Sequence, residues 1–280
     1  MCGRYVMAKD TGDLADDLNR ARLGPVQPPA FELPPNWNIA PTSTVSILVE
    51  RYDDAGQLLR ELHPARWGLL PVWAKDMTFS SRTFNARSET VVSKPSFRSA
   101  AKSRRCAVPA DAYYEWKAGG AKKRPHAIRA IDGSPLVFAG LYEWWKDKDA
   151  EARGEPDPWI LSCSILTGPS PETAGDQAAG DAIADDETAD ARSSGGRASV
   201  LTDLAELHDR IPLAMTPEFA EQWIQPGDKG PEELQVLLEQ LRAEILDVAS
   251  GWEIYEVDPG VGNVRNNGPA LLDPVPTLWG

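Results

Sequence analysis

The amino-acid sequence predicts an α+β protein whose core is a mostly antiparallel, curled, barrel-like β-sheet with peripheral helices. Two observations carry this. Short runs of β-branched and aromatic residues recur between Gly, Pro and Asp turns, and only Pro231–Ala249 carries a long helical period. Apolar content of 42% over 280 residues supports a sizeable core and fits one large domain or two small ones; one domain spanning residues 1–280 is the expectation.

Taken in order, Thr11–Leu23 predicts a short helix, with Leu14, Leu18 and Ala21 on one face and Thr11 as its N-cap. A Pro-rich connector runs to Pro35. Thr44–Glu50 and Gln57–Trp67 read as strands joined by the turn Asp53-Asp54-Ala55-Gly56. Gly68–Trp73 is irregular and apolar, a loop with an aromatic tip. A short helix follows around Ser96–Lys102. Further strands are expected over Arg105–Pro109, Ala112–Lys117, Pro125–Ala130, Leu136–Glu143 and Trp159–Thr167.

Residues 168–198 change character. They are rich in Ala, Asp, Ser and Gly and lack aromatics, which predicts a disordered acidic insert. The core resumes at Val200, and His208-Asp209-Arg210-Ile211-Pro212 leads into a short strand. Thr216–Ile224 is expected to be helical. Pro231–Ala249 places Leu234, Leu237, Leu238, Leu241, Ile245 and Val248 at helical spacing behind a first-turn proline, and Trp252–Val257 is a last strand.

The net charge of −13 speaks against a nucleic-acid partner if read as a sum, but it is unevenly spread. From Lys94 to Arg129 ten basic residues face two acids, Asp111 and Glu115. Local potential steers a polyanion, so this stretch is a candidate phosphate surface or, equally, a solvated basic face. The three cysteines Cys2, Cys106 and Cys163 are widely spaced, with no CxxC pair and no secretory leader. That pattern points to a reducing, cytosolic compartment and away from a disulfide framework or a metal knuckle. No apolar run approaches the ~20 residues of a membrane span.

Removal of Met1 would leave Cys2 with an α-amine and a thiol on adjacent carbons. With reference pKa values of about 7.7–8.0 and 8.5, both are partly deprotonated near neutral pH. The amine can attack an aldehyde to give a Schiff base, and the thiol can then close a five-membered thiazolidine. The same thiol could attack an acyl carbon as a peptidase does, or Cys2 could be an ordinary cysteine. Glu115 lies on the aromatic strand Tyr113-Tyr114-Glu115-Trp116, where poor solvation favours a protonated carboxyl able to shuttle protons. It could instead be an outward residue paired with Lys117. His208, at a strand entrance, could exchange a proton or bond a sugar oxygen, or be structural. Asn85 and Arg87 share one face of an extended segment, the amide to orient an amine and the guanidinium to clamp phosphate, or both belong to a polar strand face. Trp67 and Trp73 flank the Gly/Pro loop, each either a stacking aromatic or a core residue.

Seven segments occur in register: Met1-Cys2-Gly3-Arg4-Tyr5, Asn38-Ile39-Ala40-Pro41-Thr42, Arg66–Trp73, Asn85-Ala86-Arg87-Ser88-Glu89-Thr90, Tyr114-Glu115-Trp116-Lys117, His208–Pro212 and Val261–Asn267. Together they resemble the SOS-response-associated peptidase family, the abasic-site shielding proteins. The resemblance implies a thiazolidine cross-link to abasic sites in single-stranded DNA, with Cys2 as nucleophile and Asn85 positioning it. Glu115 would act as acid/base, with His208 on the sugar oxygen. Arg4, Asn38, Arg87, Thr167 and Arg210 would hold phosphate or sugar, and Trp73 would sit near a single-strand/duplex junction. It further implies autoproteolytic loss of Met1, a monomer, a cytoplasmic protein that is nucleoid-associated on damage, and no metal or nucleotide cofactor. The acidic insert and the stretch Ala74–Thr83 both look longer than the family pattern. The rival from another class is a cysteine peptidase acting on proteins, built from Cys2, His208 and Glu115 or Asn85; a third is a non-catalytic single-strand binder using the Trp and Arg residues.

Overall fold

The computed structural model describes residues 2–117, 123–171 and 194–276. Its strands are β1 (Tyr5–Met7), β2 (Asn36–Ile39), β3 (Thr44–Tyr52), β4 (Leu58–Trp67), β5 (Asn85–Arg87), β6 (Arg105–Ala110), β7 (Ala112–Lys117), β8 (Arg124–Ala130), β9 (Leu136–Lys146), β10 (Trp159–Pro169), β11 (Arg210–Pro212) and β12 (Trp252–Glu256). The helices are α1 (Thr11–Arg20), α2 (Arg98–Ser103), α3 (Lys148–Ala152), α4 (Ser194–Leu207), α5 (Pro217–Ile224) and α6 (Pro231–Ala249).

Five strands close into a barrel in the order β10-β4-β3-β6-β9 and back to β10. Four of the pairings are antiparallel and one, β10 with β4, is parallel. The curled, mostly antiparallel sheet read from the sequence is therefore present, as a closed ring. Closure leaves no free edge around the ring. β10 is its hub: it also pairs in parallel with β5 (Ile165 opposite Asn85, Thr167 opposite Arg87) and antiparallel with β11. A second, antiparallel sheet runs β12-β8-β7-β1-β2. Asp111 alone separates β6 from β7, so the chain steps from barrel to second sheet in one residue.

Two glycines make close approaches possible. Gly68 ends β4 with φ near +138°, and a Cβ there would lie 2.3 Å from the Ser80 carbonyl oxygen. Gly140 on β9 faces Cys106, whose Sγ would be 2.9 Å from an added Cβ.

The helices follow their local signals. α6 starts at Gly230-Pro231 with Glu232 and Glu233 in its first turn, where acids favour the helix dipole, and buries Leu234, Leu237, Leu238, Leu241 and Ile245. α5 is capped by Thr216, whose hydroxyl accepts from the Phe219 N–H. The cap of α1 is Asp10, accepting from Asp13 N–H, and not Thr11. Thr11 is buried instead, its hydroxyl accepting from Leu33 N–H at 2.8 Å.

The predicted insert needs correcting at both ends. Gly168 and Pro169 belong to β10, and α4 begins at Ser194. α4 went unrecognised because its Ser, Gly and Ala composition continues that of the preceding segment. What anchors it is packing, with Leu204 and Leu207 buried. The rest of the insert, residues 172–193, lies outside the described residues. Past it the chain is pinned back: Ser170 N–H donates to the Asp209 carbonyl at 3.0 Å, and Ser170 Oγ to the His208 carbonyl at 2.5 Å. Among the described residues no helix is long and apolar enough to cross a membrane, and no group of three or more His, Cys, Asp or Glu could hold a metal ion.

Candidate active site

Residue 2 reaches the site through β1. Tyr5 pairs with Tyr113 on β7, and the register continues with Tyr114 N–H donating to Arg4 O at 2.9 Å. This runs the chain start antiparallel alongside Glu115. Cys2 is fully buried, and Asn85 Nδ2, at the head of β5, donates to its carbonyl at 2.7 Å. Burial, with the Glu115 charge adding to it, pushes the Cys2 thiol well above its ordinary range. Glu115 is itself 6% exposed, and its Oε1 accepts from the Trp116 N–H at 3.2 Å. The alternative outward orientation does not hold, because Glu115 is buried; Lys117 pairs with Glu206 on α4 at 2.9 Å.

Glu115 and Trp116 line an open cleft of about 730 Å³ together with Glu206, His208, Asp209 and Gly262. His208 Nδ1 accepts from the Arg210 N–H at 3.1 Å, and the same atom lies 2.6 Å from Asp209 Oδ1. Both contacts fall on Nδ1, one suited to an accepting nitrogen and the other to a donating one, and together they fix the plane of the ring. Asn85, Cys2 and Glu115 are thus brought together from three distant segments, and His208 lines the same cleft as Glu115.

The residues expected to hold phosphate or sugar fall into two groups. Arg87 and Trp73 are exposed, Trp73 with 55% of its surface free at the tip of the loop after β4 and its ring edge-on to Phe79. Trp67, by contrast, is a core residue, its indole N–H donating to Phe84 O. The other four are engaged inside the protein. Asn38 donates to the carbonyls of Val261, Asn263 and Asn266 and accepts from Arg4 at 2.8 Å. Arg4 also donates to Val261 O and lies over the Trp116 ring. These two therefore pin the Val261–Asn266 loop against the cleft wall. Arg210 is 8% exposed and makes a bidentate pair with Glu89 at 2.7 and 2.8 Å; it also donates to the Thr167 hydroxyl and carbonyl. Glu89 is held down to about 2 by the Arg210 guanidinium.

The stretch Lys94–Arg129 does not form one basic face. Arg105 is buried, donating to carbonyls that include Trp223 and Gln225. Lys102, Arg104, Lys117, Arg124 and Arg129 are paired with Asp228, Glu143, Glu206, Glu256 and Glu253. Lys122 lies outside the described residues.

The family model described as SOS response associated peptidase (SRAP) matches residues 1–176. The chain belongs to this family. It is 31% identical over 274 residues to the abasic site processing protein YoqW of Bacillus subtilis, covering 98% of this chain and 99% of that one. To the abasic site processing protein YedK of Escherichia coli it is 29% identical over 279 residues, covering 98% and 100%. Among solved structures, a Bacteroides thetaiotaomicron protein superposes with a TM-score of 0.66 at 22% identity, covering 98% of this chain and 100% of that one, which shows a shared fold.

Within this family member, Glu89 and Glu206 are not singled out by the sequence. Glu89 was visible only as the end of the segment Asn85–Thr90. Its pairing with Arg210 spans 121 positions, and no local pattern announces it.

Proposed function

We propose that this protein captures abasic sites in single-stranded DNA by forming a thiazolidine through Cys2 once Met1 has been removed. The observation that carries the reading is the convergence of Asn85 and Glu115 on Cys2, beside a cleft that His208 also lines.

The chemistry balances without a cofactor. The Cys2 amine adds to the C1 aldehyde of the ring-opened deoxyribose. Glu115 or His208 gives a proton to the departing hydroxyl, water leaves, and an iminium forms. The thiol then adds to the iminium carbon, closing the ring, while its proton passes to the carboxylate. A thiol kept protonated by its surroundings suits this last step, since the proton has an acceptor beside it when the C–S bond forms. The same environment speaks against the rival cysteine peptidase, which needs a stable thiolate. Asn85 would hold the Cys2 carbonyl so that the freed amine points along the cleft. The Arg210–Glu89–Thr167 cluster would fix His208 from behind. Arg87 and Trp73 are free to meet phosphate and a base at a strand junction. We read the chain as a monomer working as one unit, in DNA repair.

The test is direct. Mature protein, shown by mass spectrometry to lack Met1, is incubated with a single-stranded oligonucleotide carrying one abasic site and run on a denaturing gel. A band shifted by the mass of the protein is expected, absent with an undamaged strand. No shifted band from the mature chain overturns the reading.

A further inference from the structure

We propose that Lys117 is a phosphate-binding position at the mouth of the cleft, occupied in the free protein by Glu206 as a stand-in for the phosphate. The inference rests on the reading above, that this cleft takes a DNA strand.

Lys117 follows Glu115 by two residues on β7, so both side chains project from the same face. A two-residue step is about 6–7 Å along a strand. A sugar held at Glu115 therefore has its flanking phosphodiester within reach of the Lys117 ammonium. That ammonium is already taken. Lys117 Nζ lies 2.9 Å from Glu206 Oε2, and Glu206 lines the same cleft as Glu115 and His208. Glu206 is presented by α4, whose Leu204 and Leu207 are buried and fix the helix against the core.

The contact is built to be exchanged. Lys117 is 35% and Glu206 52% exposed, and ion pairs so hydrated contribute little net stability. A phosphodiester offers the same charge and two acceptor oxygens, so it can replace the carboxylate at little cost. Displaced, Glu206 becomes a fixed negative charge at the cleft mouth. Strands that bring no phosphate to Lys117 then meet repulsion without compensation. The pair thus sets a threshold for entry.

A double-mutant cycle decides it, read as noncovalent affinity for an undamaged single-stranded oligonucleotide across a salt series, and as adduct rate with an abasic strand. Glu206→Gln should bind about 3–10-fold more tightly at low salt. Its log–log salt slope should steepen by roughly 0.7, the value for one further counterion released from a single strand. Lys117→Ala should weaken binding, and adding Glu206→Gln to it should change affinity less than twofold. Lys117→Arg, which keeps the charge, should behave as wild type. Glu218→Gln, which removes a charge lining a different groove, should have no effect. An equal gain from Glu206→Gln with and without Lys117, or no gain, overturns the proposal. The two failures are separable: wild type giving no adduct condemns the thiazolidine reading, while the cycle on the undamaged strand still decides the subsite.

Discussion

Cys2 and Cys163 are both fully buried, and burial pushes both thiols far above their ordinary range. Both also lie near the buried Tyr5, but the rest of their surroundings differs. Cys163 sits on β10 in the barrel wall, opposite Tyr142 and beside Trp67, with Cys106 near enough that its own thiol is raised further. Cys2 lies at the chain start under Asn85 and against Glu115. A shifted thiol is therefore no mark of a nucleophile by itself. What separates the two regions is whether polar groups from elsewhere in the chain have been brought to the sulfur, and that required three segments to converge.

The sharpest way to break this comparison is to delete each sulfur in turn. All three are fully buried, so each Cys→Ala change should cost roughly 1–3 kcal/mol of stability in chemical denaturation. Cys2→Ala should also abolish the denaturant-stable adduct, whereas Cys106→Ala and Cys163→Ala should keep it. An adduct that survives Cys2→Ala would erase the distinction.

Glu115→Gln comes next. It keeps the shape and removes the proton acceptor, so the adduct should form about 10²–10⁴-fold more slowly while the nucleophile persists. Single-turnover gel kinetics read this, and a rate within threefold of wild type would mean the carboxylate is only a wall.

Glu89→Gln sharpens the comparison on stability. The Arg210–Glu89 pair beside the cleft should respond to acid, whereas the buried thiols of the barrel carry no charge to lose. The Glu89 carboxyl is lowered in the fold, from an ordinary 4.5 to about 2. Its contribution is therefore complete above about pH 4.5 and lost as pH falls toward 2. Allowing for its partial exposure, Glu89→Gln should cost about 1–2 kcal/mol near neutral pH and flatten the acid limb of the stability curve. Variants at Cys106 and Cys163 should keep that limb. The smallest effect is expected from Asn85→Ala, which removes one hydrogen bond to the Cys2 carbonyl and should slow adduct formation by about 2–10-fold.

Much of this was legible in the sequence for a simple reason. Barrel strands and α6 are specified by periodicity and turn residues, which are local, and their bounds fell within a few residues of those seen. Cys2, Asn85, Glu115 and His208 could be singled out because each is a polar group at a position where packing does not ask for one. What stayed hidden is long-range. Five of the ten bases of Lys94–Arg129 have acidic partners that local sequence does not reveal: Asp228, Glu143, Glu206, Glu256 and Glu253. Asn38 and Arg210 entered as DNA contacts through the family resemblance, and nothing nearby in sequence shows the carbonyls and the carboxylate that they bond within the fold. α4 was hidden for the opposite reason, since its composition matches its neighbour and its two anchoring leucines are too few to set a period.

The clasp between Ser170 and the backbone of His208 and Asp209 has a practical consequence. It ties the end of β10 directly to the backbone that carries the imidazole, so the place of the ring does not depend on the length of chain that joins Pro171 to α4. Each doubling of such a connection costs only about 0.6 kcal/mol of closure entropy. For an engineer the stretch between Pro171 and α4 is therefore the position at which to graft a fluorophore or an affinity handle.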